Sequence, residues 1–170
     1  MKKMTSAYAN KVLKSLDEDK AYWLTREADD CTYTACVDEE PVIPEYDYKT
    51  VAATIDELDR KICIIKHAIN KHNSAAEISV GDQLMSVDMI LVRMSQLNRR
   101  KAVLDVMRKR QPKSREVNAF ASRKTTPEYC YLNYDLELVK QDYERVCDRI
   151  MEMQIALDRF NQTVEFDVDL

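Results

Sequence analysis

Apolar residues recur at alternating intervals of three and four along two long stretches of the chain. The first seam consists of Val51, Ile55, Leu58, Ile62, Ile65 and Ile69. The second consists of Leu136, Val139, Tyr143, Val146, Ile150, Met153, Leu157 and Phe160. This heptad spacing places each set on one stripe of a helix, and such a stripe must be buried against a partner. The pattern therefore predicts helices over residues 47–73 and 134–161.

Two further helices are predicted from capping and stop signals. Thr5 or Ser6 can cap a helix over residues 5–28, whose apolar stripe begins at Ala9. The only glycine of the chain, Gly81, precedes Asp82, which can cap a helix over residues 82–110. We expect a mainly α fold: an antiparallel four-helix bundle, or long helical hairpins with coiled-coil seams. The length of 170 residues suits a single helical domain over residues 1–170.

Short strands are predicted outside the helices. Residues 32–37 are rich in β-branched and aromatic types, and residues 116–122 alternate between apolar and polar. These two segments fall in the longer loops and can pair as a small β-hairpin, since an isolated strand leaves its backbone groups unsatisfied. The tail over residues 163–168 also alternates and is a third strand candidate.

Composition narrows the class of protein. One Gly and four Pro among 170 residues, with 45% hydrophobic and 33% charged residues, favour helices and argue against a disordered chain. A single glycine also excludes the glycine-rich phosphate loops of known nucleotide-binding motifs. The five Cys are odd in number and contain no CxxC pair, as in a protein with reduced thiols. With no secretory signal and no membrane-spanning run, we expect a soluble cytoplasmic protein with no membrane partner.

No motif for catalysis or metal binding stands out. The two histidines, His67 and His72, are five residues apart, so they lie about 140° apart around a helix and cannot form the i, i+4 pair of a zinc-binding helix. We predict no metal, no cofactor and no catalytic residue. The protein is expected to be non-enzymatic.

Charge is unevenly distributed although the net charge is only −4. Residues 1–47 hold eleven Asp and Glu against six Lys and Arg, whereas residues 99–124 hold ten basic residues against two acidic ones. The basic residues that straddle the end of the third helix are Arg99, Arg100, Lys101, Arg108, Lys109, Arg110, Lys113 and Arg115. They either complement the helix dipole at a solvated helix end or bind an anion, such as nucleic acid, a nucleotide or an acidic partner.

Amides and charges near two predicted helix ends form a second candidate site. Lys66, Asn70 and Asn73 share one stripe beside the buried seam, and Asp158 and Asn161 lie at the end of the last helix. Asn73 and Asn161 are also suited to cap their helices in the left-handed conformation. The functional alternative is a polar pocket in which the amides hydrogen-bond to a ligand and Lys66 supplies a charge.

Two short strings resemble a known family. Ile65 to Asn70 with Asn73, and Ala156 to Asp158 with Asn161 and Thr163, resemble the septicolysin-like group of small helical bacterial proteins, which also occur in phages and mobile elements. The resemblance covers residues 47–165. It implies an all-helical, often oligomeric protein of poorly defined function. The pore-forming activity in the group's name is not expected, because the chain has no amphipathic membrane hairpin.

These observations lead to one main hypothesis and two alternatives. We expect a helical interaction protein, encoded by a phage or mobile element, that binds a host protein or a second copy of itself; its eight Met residues suit a permissive partner surface. The first alternative is a binder or sponge for a nucleotide-like anion in counter-defence. The second is a nucleic-acid binder that uses residues 99–124.

Overall fold

The computed structural model describes residues 1–115 and 128–170. Four helices occupy most of this length: α1 Ser6–Asp30, α2 Tyr48–Ala75, α3 Val87–Arg108 and α4 Leu136–Thr163. The described strands form three antiparallel pairs: β1 Lys2–Thr5 with β6 Glu165–Val168, β2 Glu77–Val80 with β3 Gln83–Ser86, and β4 Lys113–Arg115 with β5 Tyr129–Tyr131. A mainly helical fold with small antiparallel strand pairs is thus confirmed. The bundle arrangement stays a prediction.

Contacts within the chain divide it into two compact units. Unit 1 contains Met1–Ala76 and Asp158–Leu170, and unit 2 contains Glu77–Leu157. The first part of α4 therefore belongs to unit 2 and its last residues to unit 1.

Unit 1 is built from α1, α2 and the β1–β6 sheet. Thr5 ends β1 and caps α1, since its hydroxyl accepts a hydrogen bond from the Tyr8 amide at 3.2 Å. The predicted seam of α2 supplies buried Ile62 and Ile65. The sheet adds residues from the two ends of the described chain. The resulting core consists of Met4, Ala9, Leu13, Ile62, Ile65 and Val168.

Unit 2 contains the β2–β3 hairpin, α3, the β4–β5 pair and the first part of α4. Gly81 stands at the turn of the hairpin with φ +58°, and no other described residue has a positive φ. A two-residue turn with glycine in its first position suits the twist of antiparallel strands. The buried residues of α3 lie on one side of the helix and are Val87, Ile90, Leu97 and Leu104.

The predicted start of the third helix at residue 82 was wrong, because a β-strand occupies the residues before Val87. Residues 82–86 do not begin α3, and Asp82 does not cap it; the helix begins at Val87 after Ser86. The turn at Gly81 and Asp82 lets residues 77–80 pair with residues 83–86. Leu84 and Met85 thereby satisfy their backbone groups in a ladder instead of a helix.

The strand predictions had mixed outcomes. The tail strand is confirmed as β6, although its partner β1 was not predicted. Residues 32–36 lack regular secondary structure and Val37 lies in a turn, so the predicted strand over residues 32–37 was wrong. This segment is exposed throughout and pairs with no strand among the described residues, so its β-branched residues join none of the described sheets. The predicted strand over residues 116–122 lies outside the described residues.

Left-handed capping by Asn73 and Asn161 was also wrong. Neither residue has a positive φ. Asn73 lies inside α2, which ends at Ala75, and Asn161 lies inside α4, which ends at Thr163. Both helices run past the predicted capping positions, and Ala76 stands at the C-cap of α2 with an extended backbone.

Candidate functional site

Helix α3 of unit 2 carries a second apolar stripe that is exposed. It starts two residues after the buried stripe and repeats at intervals of three and four, so it lies about 200° around the helix from the buried side. Its apolar members are between 52% and 59% exposed, and two polar residues stand at its centre. The stripe consists of Met89, Val92, Gln96, Arg99, Val103 and Val106.

Helix α4 carries a comparable exposed stripe within unit 2. Leu138, Met151 and Ile155 are between 58% and 63% exposed. Three exposed polar residues stand between these apolar ones, and two of them are acidic. The stripe consists of Leu138, Gln141, Glu144, Asp148, Met151 and Ile155. It lies outside the seam of α4, whose buried members in unit 2 are Val139, Met153 and Leu157.

Several residues of the predicted anion-binding segment are engaged within unit 2. Arg108 and Lys109 both pair with Asp105, at 2.7 and 2.5 Å. Hydrogen bonds from Lys109 and then Arg108 lower the pKa of Asp105. The Arg108 guanidinium also lies 4.1 Å from the centre of the Tyr143 ring. These contacts support the interpretation of Arg108 and Lys109 as residues of a stabilised helix end.

Lys113 is likewise placed against aromatic rings. Its ammonium lies 4.3 Å from the Tyr129 ring centre and 5.4 Å from the Tyr131 ring centre, across the β4–β5 pair.

The other residues of the predicted anion-binding segment lie at separate places in unit 2. Arg115 ends β4 and is exposed, and Arg110 lies exposed just after α3. Arg99 belongs to the exposed stripe of α3, while Lys101 is half-buried. The predicted set is therefore not one continuous cationic surface.

Arg100, one of the predicted anion-binding residues, lies in a groove with other cations. It lines a groove of about 270 Å³ together with two arginines of α4, Arg145 and Arg149. The groove floor is apolar and includes Leu97 and Leu104. We call this site the arginine groove; its lining residues are Leu97, Arg100, Leu104, Asp142, Arg145, Val146 and Arg149.

Local contacts hold the two α4 arginines of the arginine groove. Arg145 pairs with Asp142, one turn earlier in α4. Arg149 donates to Glu152 at 2.9 Å and to Gln83 of β3 at 2.8 Å. Gly81 lies beside this network, because a Cβ built on it would be 3.4 Å from Arg149 Nη1. No ion pair or hydrogen bond of Arg100 occurs within the described residues.

The residues of the predicted amide pocket differ in their exposure. Lys66, Asn70 and Asp158 are exposed, whereas Asn73 and Asn161 are half-buried. Lys66 instead lines a groove of about 490 Å³ on unit 1 beside α1 residues. The Oδ1 atom of Asn73 is buried and has no hydrogen-bond partner within the described residues.

A larger groove of about 870 Å³ lies on unit 1 along a different face of α2. Apolar residues, including Ile64, Ala68 and Phe166, form much of its lining. Cations and acids are both present: Arg60 and Lys71 come from α2, and Asp167 and Asp169 follow from β6 and the tail. The lining charges therefore nearly cancel, and the groove selects for neither sign of charge.

His72 closes one part of this unit 1 groove by aromatic stacking. Its ring stacks on Phe160 with a centroid distance of 5.0 Å and on Phe166 at 4.6 Å, with interplanar angles of 16° and 22°. Burial lowers the pKa of His72. Its Nε2 atom is buried without a hydrogen-bond partner in the described part of the chain. The structure thus uses His72 as a packing residue that favours the neutral ring.

Sequence reasoning missed Arg145 and Arg149 because they lie outside the basic segment and alternate with acids along α4. A search for cations facing a neighbouring helix at i, i+4 spacing would have selected the pair. Across residues 1–115 and 128–170, no group of three or more His, Cys, Asp or Glu side chains is placed to hold a metal. Within the same ranges no helix combines the length and apolar character needed to span a membrane.

Comparison with known proteins yields a likeness in fold. A search of family models gave no match. A search of curated proteins gave none either. The fold is similar to that in the crystal structure of a functionally unknown conserved protein from Corynebacterium diphtheriae, with a TM-score of 0.67 and 14% sequence identity. The likeness covers 98% of this chain and 100% of that chain. At this identity it shows a shared fold alone.

Proposed function

We propose that the protein is a non-enzymatic interaction protein that assembles with a second copy of itself through unit 2. The exposed stripe of α3 from one copy packs on the exposed stripe of α4 from the other. The observation that carries the proposal is the pair of stripes, because each leaves large apolar side chains more than half exposed at heptad spacing.

The two stripes match in length, and in antiparallel order their residue types agree at every position except one, where Val103 falls opposite Gln141. Each extends over 17 residue steps, from Met89 to Val106 and from Leu138 to Ile155, or about 26 Å of helix. Both are apolar at their ends and polar at the centre. An antiparallel alignment therefore puts apolar ends on apolar ends and polar centre on polar centre.

The charges at the two centres are complementary in that alignment. When Met89 faces Ile155 of the second copy, Gln96 is level with Asp148, and Glu144 is the stripe residue nearest to Arg99, one residue from level. Arg99, Glu144 and Asp148 are all exposed. Opposite charges across such a contact fix its register and its partner, while the apolar ends supply most of the affinity. The resemblance to the septicolysin-like group, which implies frequent oligomers, agrees with this proposal and stays a prediction.

Sedimentation velocity across a concentration series tests the proposal on the full chain. We expect the unaltered protein to self-associate. Arg99→Glu alone and Glu144→Arg alone each place like charges together, and each should raise the dissociation constant by at least about tenfold. The double variant with both reversals should recover most of the lost affinity.

Arg110→Glu is the matched control, since Arg110 is exposed next to α3 but belongs to neither stripe. It should leave the dissociation constant within about twofold. A protein that stays monomeric at every accessible concentration would refute the proposal. The proposal would also be refuted if neither charge reversal changed the dissociation constant, because the interface would then lie on another surface.

A further inference from the structure

We propose that the arginine groove of unit 2 is a binding site for a small molecule that carries a diphosphate or polyphosphate group. This inference is independent of self-association, because none of the groove residues belongs to either exposed stripe. It concerns a site that the basic segment alone does not define, since two of its three cations come from α4.

The first argument is the convergence of like charge. Three arginines and a single acidic residue, Asp142, line about 270 Å³. Local acids balance two of the arginines: Asp142 pairs with Arg145, and Glu152 pairs with Arg149. Arg100 is left with no acidic partner in the described chain, so the groove keeps a net positive charge. Bringing like charges together costs free energy that a bound anion offsets.

The second argument is preorganisation. Arg149 is only 30% exposed at its side chain and is held by Gln83 and Glu152 together. The pair with Asp142 holds Arg145 from the preceding turn. Side chains that are already held lose less conformational entropy when a ligand binds. Arg100, which lacks such contacts, is free to swing onto a ligand.

The third argument is the match between donors and acceptors. Each guanidinium presents a planar fork of N–H donors, and a phosphate group accepts such forks in a bidentate manner. A single carboxylate has two oxygens and can satisfy only part of this donor set. A diphosphate offers oxygens on two neighbouring groups and can engage all three arginines. The small volume suits such a group better than a large flat ligand.

A long nucleic acid is a weaker fit to the same surface. Binding along a phosphate backbone requires a continuous line of available cations. In unit 2 that line is interrupted, because Arg108 and Lys109 pair with Asp105 and Lys113 packs on two tyrosine rings. The exposed cations Arg99, Arg110 and Arg115 lie on the α3 stripe, after α3 and at the end of β4, and none of them lines the arginine groove, where three arginines share one surface.

Isothermal titration calorimetry of the full chain with inorganic pyrophosphate tests the inference. We expect saturable binding that is tighter than binding of orthophosphate. Arg100→Gln and Arg145→Gln should each raise the dissociation constant by at least about tenfold, because each removes charge-assisted hydrogen bonds. Arg100→Lys should fall between Gln and the unaltered residue, since it keeps the charge and loses the fork.

Arg110→Gln is the matched control, because Arg110 is an exposed cation of the same basic segment that does not line the groove. Its dissociation constant should stay within about twofold of the unaltered value. Thermal unfolding of each variant checks that the fold is retained; Arg100 is exposed, so its variants should melt normally.

Three results would overturn the inference: no saturable binding of pyrophosphate, equal losses in Arg100→Gln and Arg110→Gln, or tighter binding of a short single-stranded RNA that Arg110→Gln also weakens. The second would indicate diffuse charge attraction, and the third a nucleic-acid surface. The sedimentation and calorimetry experiments test variants at different residues. The protein could therefore fail to self-associate and still bind pyrophosphate, and the reverse also holds.

Discussion

The two units treat the apolar residues of their helices differently. In unit 1 the seam of α2 is buried at Val51, Leu58, Ile62 and Ile65, and the β1–β6 sheet brings Met4 and Val168 into the same core as Ile62 and Ile65. In unit 2 the helices α3 and α4 each bury one stripe and expose another. Large apolar side chains are exposed in unit 1 as well. Many of them lie between Tyr22 and Tyr48, where they do not form a regular stripe on a helix.

The two units also differ in net charge. Unit 1 holds 12 Lys and Arg against 18 Asp and Glu, a net charge of −6, whereas unit 2 holds 14 against 12, a net charge of +2. The arginine groove and Arg99 of the α3 stripe both belong to unit 2, the unit with regular exposed apolar stripes. Unit 1 thus builds a core from α1, α2 and its sheet, while unit 2 combines exposed apolar stripes with a groove lined by three arginines.

The largest expected effect contrasts two isoleucines that occupy the opposite extremes of exposure. Ile65 in α2 is 0% exposed, and Ile155 in α4 is 63% exposed. Ile65→Ala should lower the free energy of unfolding by about 2–5 kcal/mol, because it leaves a cavity in the core of unit 1. Ile155→Ala should change it by no more than about 0.5 kcal/mol.

Chemical denaturation at a protein concentration that keeps the chain dissociated measures both changes. The same two variants in sedimentation velocity should reverse their order, with Ile155→Ala weakening self-association more than Ile65→Ala. If Ile155→Ala destabilised the fold as much as Ile65→Ala, the contrast between a completed core and an open stripe would fail.

A smaller effect is expected at the hairpin turn of unit 2. Gly81→Ala should lower the free energy of unfolding by about 1–2 kcal/mol, because alanine is strained at φ +58°. The added Cβ would lie 3.4 Å from Arg149 Nη1, the end of a flexible side chain, so this substitution should change pyrophosphate binding little. Denaturation and calorimetry measure the two effects. Asp82→Ala, the neighbouring turn position with negative φ, is the control; equal losses for both variants would show that the conformation of Gly81 is not the cause.

The smallest effect is a pH dependence that belongs to unit 1. Burial between Phe160 and Phe166 lowers the pKa of His72, so the unfolded chain binds a proton more readily than the folded chain. The stability due to neutral His72 is fully present above the unfolded pKa of about 6.5 and is lost as the pH falls through the folded pKa. Denaturation at pH values on either side of 6.5 should show this loss.

His72→Phe keeps an aromatic ring in the stack and removes the titrating group, so it should abolish the loss. His67→Gln, which changes the exposed histidine of the same helix, should retain it. Carboxylates act at lower pH and do not confuse the measurement: the Arg60 hydrogen bond lowers the pKa of Glu57 to about 2, so its contribution is lost below its ordinary value of 4.5. A pH dependence that survives His72→Phe would contradict the assignment.

The amino-acid sequence was sufficient to predict the long helices and several local signals, although not the β2–β3 hairpin. The seams of α2 and α4 predicted helices whose ends the structure moves by only one or two residues, because a helix is specified by repeats of three and four along one segment. Thr5 marked the start of α1, Gly81 marked a turn, and the alternation in the tail predicted β6. Each of these signals lies within a few residues of the feature that it specifies.

Only the tertiary structure decided the features that join distant residues. The pairing of Lys2–Thr5 with Glu165–Val168 depends on two segments at opposite ends of the described chain, and no local pattern selects that partner. The stacking of His72 between Phe160 and Phe166 and the meeting of Arg100 with Arg145 and Arg149 have the same origin. Helical periodicity states which residues share a face, but packing determines which faces meet. The candidate site of unit 2 therefore emerged from the structure, although the sequence had already singled out Arg100.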